Sequence, residues 1–262
     1  MENLALLPFF GFIAGSLGAL IGAGGGFVLV PILLAIAPNE PPGIITGVSQ
    51  TVVFATSTSA TIAYARQRRI EYRWAGMLAA TGLAGMAIGA FITENLSRER
   101  FQLVFGVAAL LLVVYLHIRP IRGRAARSLK EAHQMRVPLD RRRIAPLIAV
   151  GLGTSLLGGL LGIGGGIALT PIFVQVFMFP AHMATATSQL VIALTSPAAI
   201  AVHLANVPLV EEFLPIAMTS VGAILGAQVG ARISRRFSAS WLVRTLALGL
   251  GVAGVRLILT SL

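Results

Sequence analysis

The chain has 262 residues, of which 56% are hydrophobic and 11% are charged, and its mean hydropathy is +0.87. Because roughly a quarter of the residues of a soluble domain are charged and this chain has no cysteine, these values exclude a soluble domain, a disordered chain and a disulfide-stapled secreted domain. The basic residues that give the chain its net charge of +11 lie mainly between apolar runs, as in the cytoplasmic loops of membrane proteins. We therefore expect the protein to lie in a lipid bilayer and not to bind nucleic acid.

Ten apolar runs follow one another along the chain. They are residues 4–21, 27–37, 44–65, 74–93, 101–118, 144–161, 167–179, 183–204, 213–231 and 241–259. A transmembrane helix needs about 20 residues, so runs 27–37 and 167–179 are short. We interpret them as half-helices that do not cross the bilayer fully or as steeply packed interior pieces. No run alternates with period two, as barrel strands do, so the sequence predicts an all-α integral membrane protein.

The second half of the chain repeats the first at an offset of 139–140 residues. The glycine run 20–26 matches 160–166, Pro31 matches Pro171, Ser49-Gln50 matches Ser188-Gln189, and Thr56-Ser57 matches Thr195-Ser196. Four matches in one order at one offset indicate an internal duplication. The predicted organisation is a first membrane repeat at residues 1–119, a basic cytoplasmic linker at 120–143 and a second membrane repeat at 144–262.

Charge in the loops predicts that the two repeats are inverted relative to each other. The loop 66–73 of the first repeat contains four arginines, whereas its counterpart in the second repeat contains Glu211 and Glu212 and no basic residue. The next loops are reversed, because 93–100 is charge-balanced and 232–236 is basic. The positive-inside rule then predicts two inverted repeats of five segments, with both termini outside. Secondary transporters are commonly built in this way.

Each repeat carries a glycine motif just before its short segment. A half-helix that begins inside a membrane protein presents unpaired N–H groups and the positive end of its dipole, and a bound anion is one natural partner for them. The alternative is that the glycines only permit tight helix crossing or a hinge; the duplication favours the anion site. The candidate substrate-binding glycines are Gly24, Gly25, Gly26, Gly164, Gly165 and Gly166. A phosphate-binding P-loop is excluded, because the only lysine is Lys130 in the linker.

A second paired element follows each short segment. Its polar side chains can contact a ligand without adding charge, and in membrane segments such side chains usually face the bundle interior. The candidates are Ser49, Gln50, Thr51, Thr187, Ser188 and Gln189. Helix capping and helix–helix hydrogen bonding are the alternative role. The deeper hydroxyls of Thr56-Ser57 and Thr195-Ser196 are interpreted as packing or pathway residues.

Other residues give weaker signals. His203 lies in an apolar run and aligns with Tyr64; it could relay protons or serve as a hydrogen-bonded structural histidine. No Asp or Glu is evident inside the apolar runs, and no metal-ligand spacing links the histidines, so we expect neither metal nor cofactor. Trp74 and Trp241 are interpreted as aromatic anchors at the cytoplasmic interface. Ridges of small residues such as Gly85 and Gly89 indicate close packing, either within the chain or between the subunits of a homodimer.

The glycine motif Gly22-Ala23-Gly24-Gly25-Gly26, followed by Pro31, resembles the first copy of the motif of the TauE/SafE, or sulfite exporter, family. The run 158–166 with Pro171 resembles the second copy. The Thr-Ser-Gln that follows fits in the second repeat, whereas the first repeat has Val48 in place of a threonine. The resemblance implies a multi-pass permease of the cytoplasmic (inner) membrane for sulfite, sulfoacetate or related organosulfonates.

The sequence therefore predicts a secondary transporter that moves a small sulfur-containing anion by alternating access. A passive anion channel of the same architecture is the alternative. An enzyme is not expected, because the apolar segments contain no paired carboxylates, nucleophile–base pair or metal cluster. A non-transporting scaffold would not explain polar residues repeated at matched membrane positions.

Overall fold

A computed structural model describes residues 6–118, 144–234, 251 and 254–259. Within these residues the chain is helical and has no strand, which confirms the all-α prediction there. The predicted linker 120–143 and most of the predicted run 241–259 lie outside the described residues. The helices are α1 Leu7–Ile21, α2 Gly26–Ile36, α3 Pro42–Arg66, α4 Tyr72–Glu94, α5 Arg98–Ile118, α6 Ile144–Leu161, α7 Gly166–Gln175, α8 Ala181–Asn206 and α9 Phe213–Ile233.

Helix lengths agree with the apolar runs. The helices α2 and α7 have 11 and 10 residues, so each extends about 15–17 Å and reaches only about half of a hydrocarbon core. The prediction of two short helices is thus confirmed. Within the described residues, α4, α8 and α9 are each long and apolar enough to cross a membrane, as judged by length and composition.

Glycine ridges form the two longest helix pairings, and both lie within the chain. Along α9, Gly222, Gly226 and Gly230 lie against the backbone of Pro8, Phe12 and Ser16 of α1. Along α4, Gly85 and Gly89 lie against the backbone of α6. Because residue numbers increase together along each contact, α1 runs parallel to α9 and α4 runs parallel to α6. Each pairing joins a helix of the N-terminal half to a helix of the C-terminal half.

The central helices α3 and α8 pack against each other between these pairs. At one end of the bundle, the Gln67 amide donates to Ala231 O and Arg69 donates to Ser234 Oγ, so the loop after α3 meets the end of α9. This end also carries Arg66, Arg68, Arg73 and Arg232, and we call it the basic face. The opposite end carries Glu40, Glu94, Glu211 and Glu212, together with Arg98, and we call it the acidic face. Consequently α3 runs toward the basic face and α8 runs away from it.

Arg98, at the start of α5, holds the C-terminal end of the short helix α2. Its guanidinium donates to Leu34 O at 2.9 Å, Ala37 O at 3.2 Å and Glu40 O at 2.6 Å. The last carbonyls of a helix lack partners within that helix, so a cation at this position satisfies them and complements the helix dipole. This contact fixes the C-terminal end of α2 and thereby the position of its buried start.

The prediction of an interfacial anchor is wrong for Trp74. The indole is 1% exposed, and it packs edge-on against Phe177 and Phe179, with ring centroids 5.0 and 5.2 Å away. The segment that connects α7 to α8 folds over this part of α4 and supplies both phenylalanine rings. Trp74 is therefore a core residue at the basic end of the bundle, a position that depends on contacts distant in sequence. Trp241 lies outside the described residues.

Candidate functional site

Two glycine loops lie at the centre of the bundle, one at the start of each short helix. Glycines 22, 24, 25, 162, 164 and 165 all have left-handed φ values, between 69° and 93°. Residues with a Cβ rarely adopt this conformation, which explains why both loops require glycine. The loops turn the chain sharply, so that α2 begins at Gly26 and α7 begins at Gly166 inside the protein. Neither helix start carries a side-chain cap hydrogen bond.

The two loops lie against each other. A Cβ added at Gly26 would lie 2.6 Å from Gly162 O and 2.8 Å from Ile163 Cα, while Gly166 lies in the same way against Gly22 and Ala23. The branched side chains of Val53 and Ile192, which occupy matching positions in α3 and α8, contact this region from both sides. The structure therefore brings all six predicted glycines together, and the N-terminal ends of α2 and α7 converge. Their dipoles place partial positive charge at one buried point.

Ser49 and Ser188 cross between the halves in a reciprocal pair of hydrogen bonds. The Ser49 hydroxyl donates to Gly162 O at 2.7 Å, and the Ser188 hydroxyl donates to Gly22 O at 2.8 Å. Both side chains are fully buried. Each serine thus holds the glycine loop of the opposite half, and its hydroxyl proton is already engaged. The oxygen of each serine retains acceptor capacity only.

Gln50 and Gln189 lie one residue further along α3 and α8, and their bonds differ. The Gln189 amide donates to Gly18 O at 2.7 Å, whereas the Gln50 amide donates to Met86 Sδ at 3.0 Å. A thioether is a weak acceptor, so the Gln50 amide can be redirected at low cost. The Oε1 atoms of both glutamines are buried without a hydrogen-bond partner. Each of these two amides therefore has unused hydrogen-bonding capacity.

Two deeper hydroxyls, interpreted above as packing or pathway residues, are also unsatisfied. Ser57 and Ser196 are fully buried, and neither Oγ atom has a partner. Ser57 Oγ lies 3.2 Å from the position that a Cβ of Gly24 would occupy, so this hydroxyl faces the first glycine loop. The sequence signal for this pair was the repeated Thr-Ser, but only the structure separates the serines from Thr56 and Thr195. Those threonines donate to carbonyls of their own helices.

Thr51 and Thr187 do not join the central cluster. Thr51 is half-buried and donates to Gly47 O in its own helix at 2.9 Å. Thr187 accepts a hydrogen bond from the backbone N–H of Glu71 at 3.1 Å, in the loop at the basic face. Their predicted substrate contacts stay predictions, and in this conformation both hydroxyls have local structural roles.

The side chains that surround the two loops are uncharged, so partial charges dominate the electrostatics of the centre. Across the part of the chain that the structure describes, no three His, Cys, Asp or Glu side chains converge as metal ligands. The arrangement offers backbone N–H groups, amides and hydroxyls. These groups can contact a small anion without an opposing formal charge.

One buried ionisable contact was missed by reasoning from sequence. Glu94 ends α4 and its carboxylate contacts the imidazole of His203 in α8. The available signal was a single glutamate directly after an apolar run, and nothing in the sequence placed it next to a histidine 109 residues away. The pair lies on the side of the bundle that faces the acidic face, against Gly43 and Gly47 of α3.

Comparison with known proteins identifies the family. The model of the family described as "Sulfite exporter TauE/SafE" matches residues 7–257. The chain belongs to the TauE/SafE family. The match spans both glycine loops, and it confirms the resemblance noted from the motifs. No solved structure matches the chain.

Curated relatives of this TauE/SafE protein are named as membrane transporters. "Probable membrane transporter protein YunE" of Bacillus subtilis is 29% identical, covering 98% of this chain and 97% of the relative. A protein of Methanocaldococcus jannaschii that is likewise described as a probable membrane transporter protein is also 29% identical, covering 98% of this chain and 97% of the relative. A further relative from Xylella fastidiosa is 29% identical over 88% of this chain and 84% of its own length. The chain is thus a membrane transporter of the TauE/SafE type.

Proposed function

We propose that this protein is a multi-pass secondary transporter of the cytoplasmic (inner) membrane that moves a small sulfur-containing anion by alternating access. Sulfite, sulfoacetate and related organosulfonates are the candidate substrates, of which sulfite is the one that the description of the family names. The observation that carries the proposal is the convergence of two helix starts, at Gly26 and Gly166, in the buried centre without side-chain caps. Unpaired N–H groups and the positive dipole ends favour an anion at that point.

The directions of the helices support an inverted-repeat architecture. Helix α3 runs toward the basic face, whereas α8, its counterpart in the repeat, runs away from it. The basic face carries the arginines expected on the cytoplasmic side. The reciprocal bonds of Ser49 and Ser188 link the two halves through equivalent contacts. Such a structure has two related conformations, in which the halves exchange roles and expose the central point to opposite sides of the membrane.

Neutral ligands suit a transported anion better than a buried arginine would. A buried cation pays a desolvation cost and, once paired, holds an anion strongly, whereas a transporter must also release its substrate. The amide of Gln50 follows the serine that bonds the second glycine loop, and the hydroxyl of Ser57 faces the first loop; both have unused hydrogen-bonding capacity. We expect these groups, with Gln189, to contact the anion.

Uptake into proteoliposomes tests the proposal. Purified protein is reconstituted, and the uptake of labelled sulfite and sulfoacetate is compared with that of the Gln50→Ala/Gln189→Ala variant. Loss of amide hydrogen bonds to a charged ligand should lower uptake at least about tenfold. Gln102→Ala is the matched control, because Gln102 is half-exposed on α5, and this variant should transport like the wild type.

Two outcomes contradict parts of the proposal. Unchanged uptake by the double variant would remove the glutamines from the anion site. Flux that rises without saturation and shows no counterflow would replace alternating access with a passive anion channel.

A further inference from the structure

A buried histidine–glutamate pair joins the two halves of the protein near the acidic face. His203 belongs to α8 in the C-terminal half, and its Nδ1 atom contacts Oε1 of Glu94, the last residue of α4 in the N-terminal half. The His203 side chain is fully buried and the Glu94 side chain is 9% exposed. The contact therefore joins two ionisable side chains from different halves of the chain, and it is shielded from water.

The second ring nitrogen of His203 is available for a proton. Its Nε2 atom is buried and has no hydrogen-bond partner. A neutral imidazole has one donor and one acceptor nitrogen, so when Nδ1–H donates to Glu94, Nε2 keeps a free lone pair. One added proton converts the imidazole to an imidazolium. The hydrogen bond between a neutral ring and a carboxylate then becomes an ion pair. The charge of the pair then changes from negative to neutral, and the bond between the halves becomes stronger.

The pair lies against the helix that leads to the central glycine loops. The Glu94 carboxylate lies against Gly43 of α3, and the Cβ and Cγ atoms of His203 lie 3.2 and 3.3 Å from the position that a Cβ of Gly47 would occupy. Ser49 and Gln50 are on the next turn of the same helix. A change in the bond between Glu94 and His203 can therefore act on α3 next to the anion site.

Few other charges act on the pair. The contacting part of α3 presents Gly43 and Gly47, and the loop after α8 presents Leu209; none of these titrates. The nearby segments of the acidic face carry Glu40, Arg98, Glu211 and Glu212, all of which are half-exposed or exposed. Burial raises the pKa of Glu212, and the negative charge of Glu40 adds to that effect. These groups lie outside the buried pair, on the acidic face.

Among the residues that the structure describes up to position 234, no equivalent pair lies at the basic face. Tyr64 occupies the position that matches His203, and its hydroxyl donates to Ala19 O at 2.8 Å. The guanidinium of Arg69 lies 6.0 Å from the Tyr64 ring. A tyrosine beside an arginine does not take up a proton near neutral pH. The two ends of the pseudo-symmetric bundle thus differ in proton chemistry.

We propose that Glu94 and His203 together bind a proton and couple anion movement to a proton gradient, an inference that rests on the transport function proposed above. The proton enters from the acidic face and adds to the pair. While it is held, the ion pair fixes the halves together at that end. Its release weakens the contact and allows the halves to separate there.

Transport with and without a pH gradient tests this coupling. Full-length protein in proteoliposomes is assayed for uptake of labelled sulfite driven by an imposed pH gradient, and separately for sulfite counterflow at equal pH. His203→Gln and Glu94→Gln should each lose the gradient-driven stimulation, by about tenfold or more, while counterflow continues. Glu99→Gln, at an exposed carboxylate on α5, should keep both activities. Gradient-driven uptake that survives in His203→Gln and Glu94→Gln would overturn the proposal, as would equal losses of stimulation and counterflow.

A second measurement separates failure of this inference from failure of the transport function. The thermal unfolding midpoint of the purified protein is measured as a function of pH. Because the proposed ion pair forms only while a proton is bound, it contributes to stability at low pH and no longer does so once the proton has been lost at higher pH. The wild type should show this loss, whereas His203→Gln and Glu94→Gln should not. Identical pH profiles for all three proteins would exclude proton binding by the pair, whether or not sulfite is transported.

Discussion

Substituting alanine for Gly26 tests whether the close approach of the two glycine loops is essential. The new Cβ would lie 2.6 Å from Gly162 O, 2.8 Å from Ile163 Cα and 2.9 Å from Val53 Cγ2. Ordinary van der Waals contacts of a Cβ begin at 3.4 Å, so the loops would have to separate by roughly 0.8 Å at this point in a densely packed interior. Two of these three atoms belong to backbone and cannot rotate away.

The magnitude follows from two opposing effects. Overpacking of a dense interior costs about 1–3 kcal/mol, while replacing a helical glycine by alanine gains about 0.5–1 kcal/mol. We therefore expect Gly26→Ala to reduce the free energy of unfolding by about 0–2.5 kcal/mol and to lower sulfite uptake, because the start of α2 is displaced from the start of α7. Gly166→Ala, at the matching position, should behave alike.

Gly153→Ala is the matched control. Gly153 lies within α6, and a Cβ there would meet no atom within 4 Å. In this variant the only expected effect is the higher helix propensity of alanine, so the protein should unfold at a slightly higher temperature than the wild type. Thermal unfolding in detergent and uptake in proteoliposomes are compared for the three variants. The reasoning is refuted if Gly26→Ala and Gly153→Ala are equally stable and equally active.

Four further substitutions test individual contacts by thermal unfolding. Arg98→Gln should destabilise the protein by about 1–3 kcal/mol, because three carbonyls at the end of α2 lose a charged donor; no change would show that water replaces the guanidinium. Tyr64→Phe should cost about 1–2 kcal/mol, since the carbonyl of Ala19 loses its buried partner. Ser49→Ala and Ser188→Ala should destabilise by similar amounts, about 1–2 kcal/mol each, because their bonds to the opposite loops are equivalent. Very unequal losses would contradict that equivalence.

Residue pattern alone was sufficient for the helical architecture and for the position of its breaks. The short runs 27–37 and 167–179 predicted two short helices, because run length limits how far a helix extends in an apolar environment. The glycine motifs also predicted buried helix starts, since consecutive glycines interrupt an apolar run and permit left-handed turns. These features are local, and they hold in the structure.

The pairing of side chains could not be derived in the same way. Ser49 and Gly162 are 113 residues apart, and Glu94 and His203 are 109 residues apart. A repeat offset relates equivalent positions, but it does not say that the serine of one half bonds the loop of the other. Trp74 shows the same limit, because its burial by Phe177 and Phe179 depends on how a distant connection folds.

The sequence by itself thus determined the membrane environment and the family, and it predicts the duplication, because composition, periodicity and motif are properties of the chain. Tertiary structure decided which polar groups are already bonded and which remain free. Ser49 and Ser188 are committed to opposite loops, Gln50 has only a weak sulfur partner, and Ser57 has none. The physical reason is that a hydrogen bond depends on the positions of two atoms. Those positions are set by the packing of the two halves against each other.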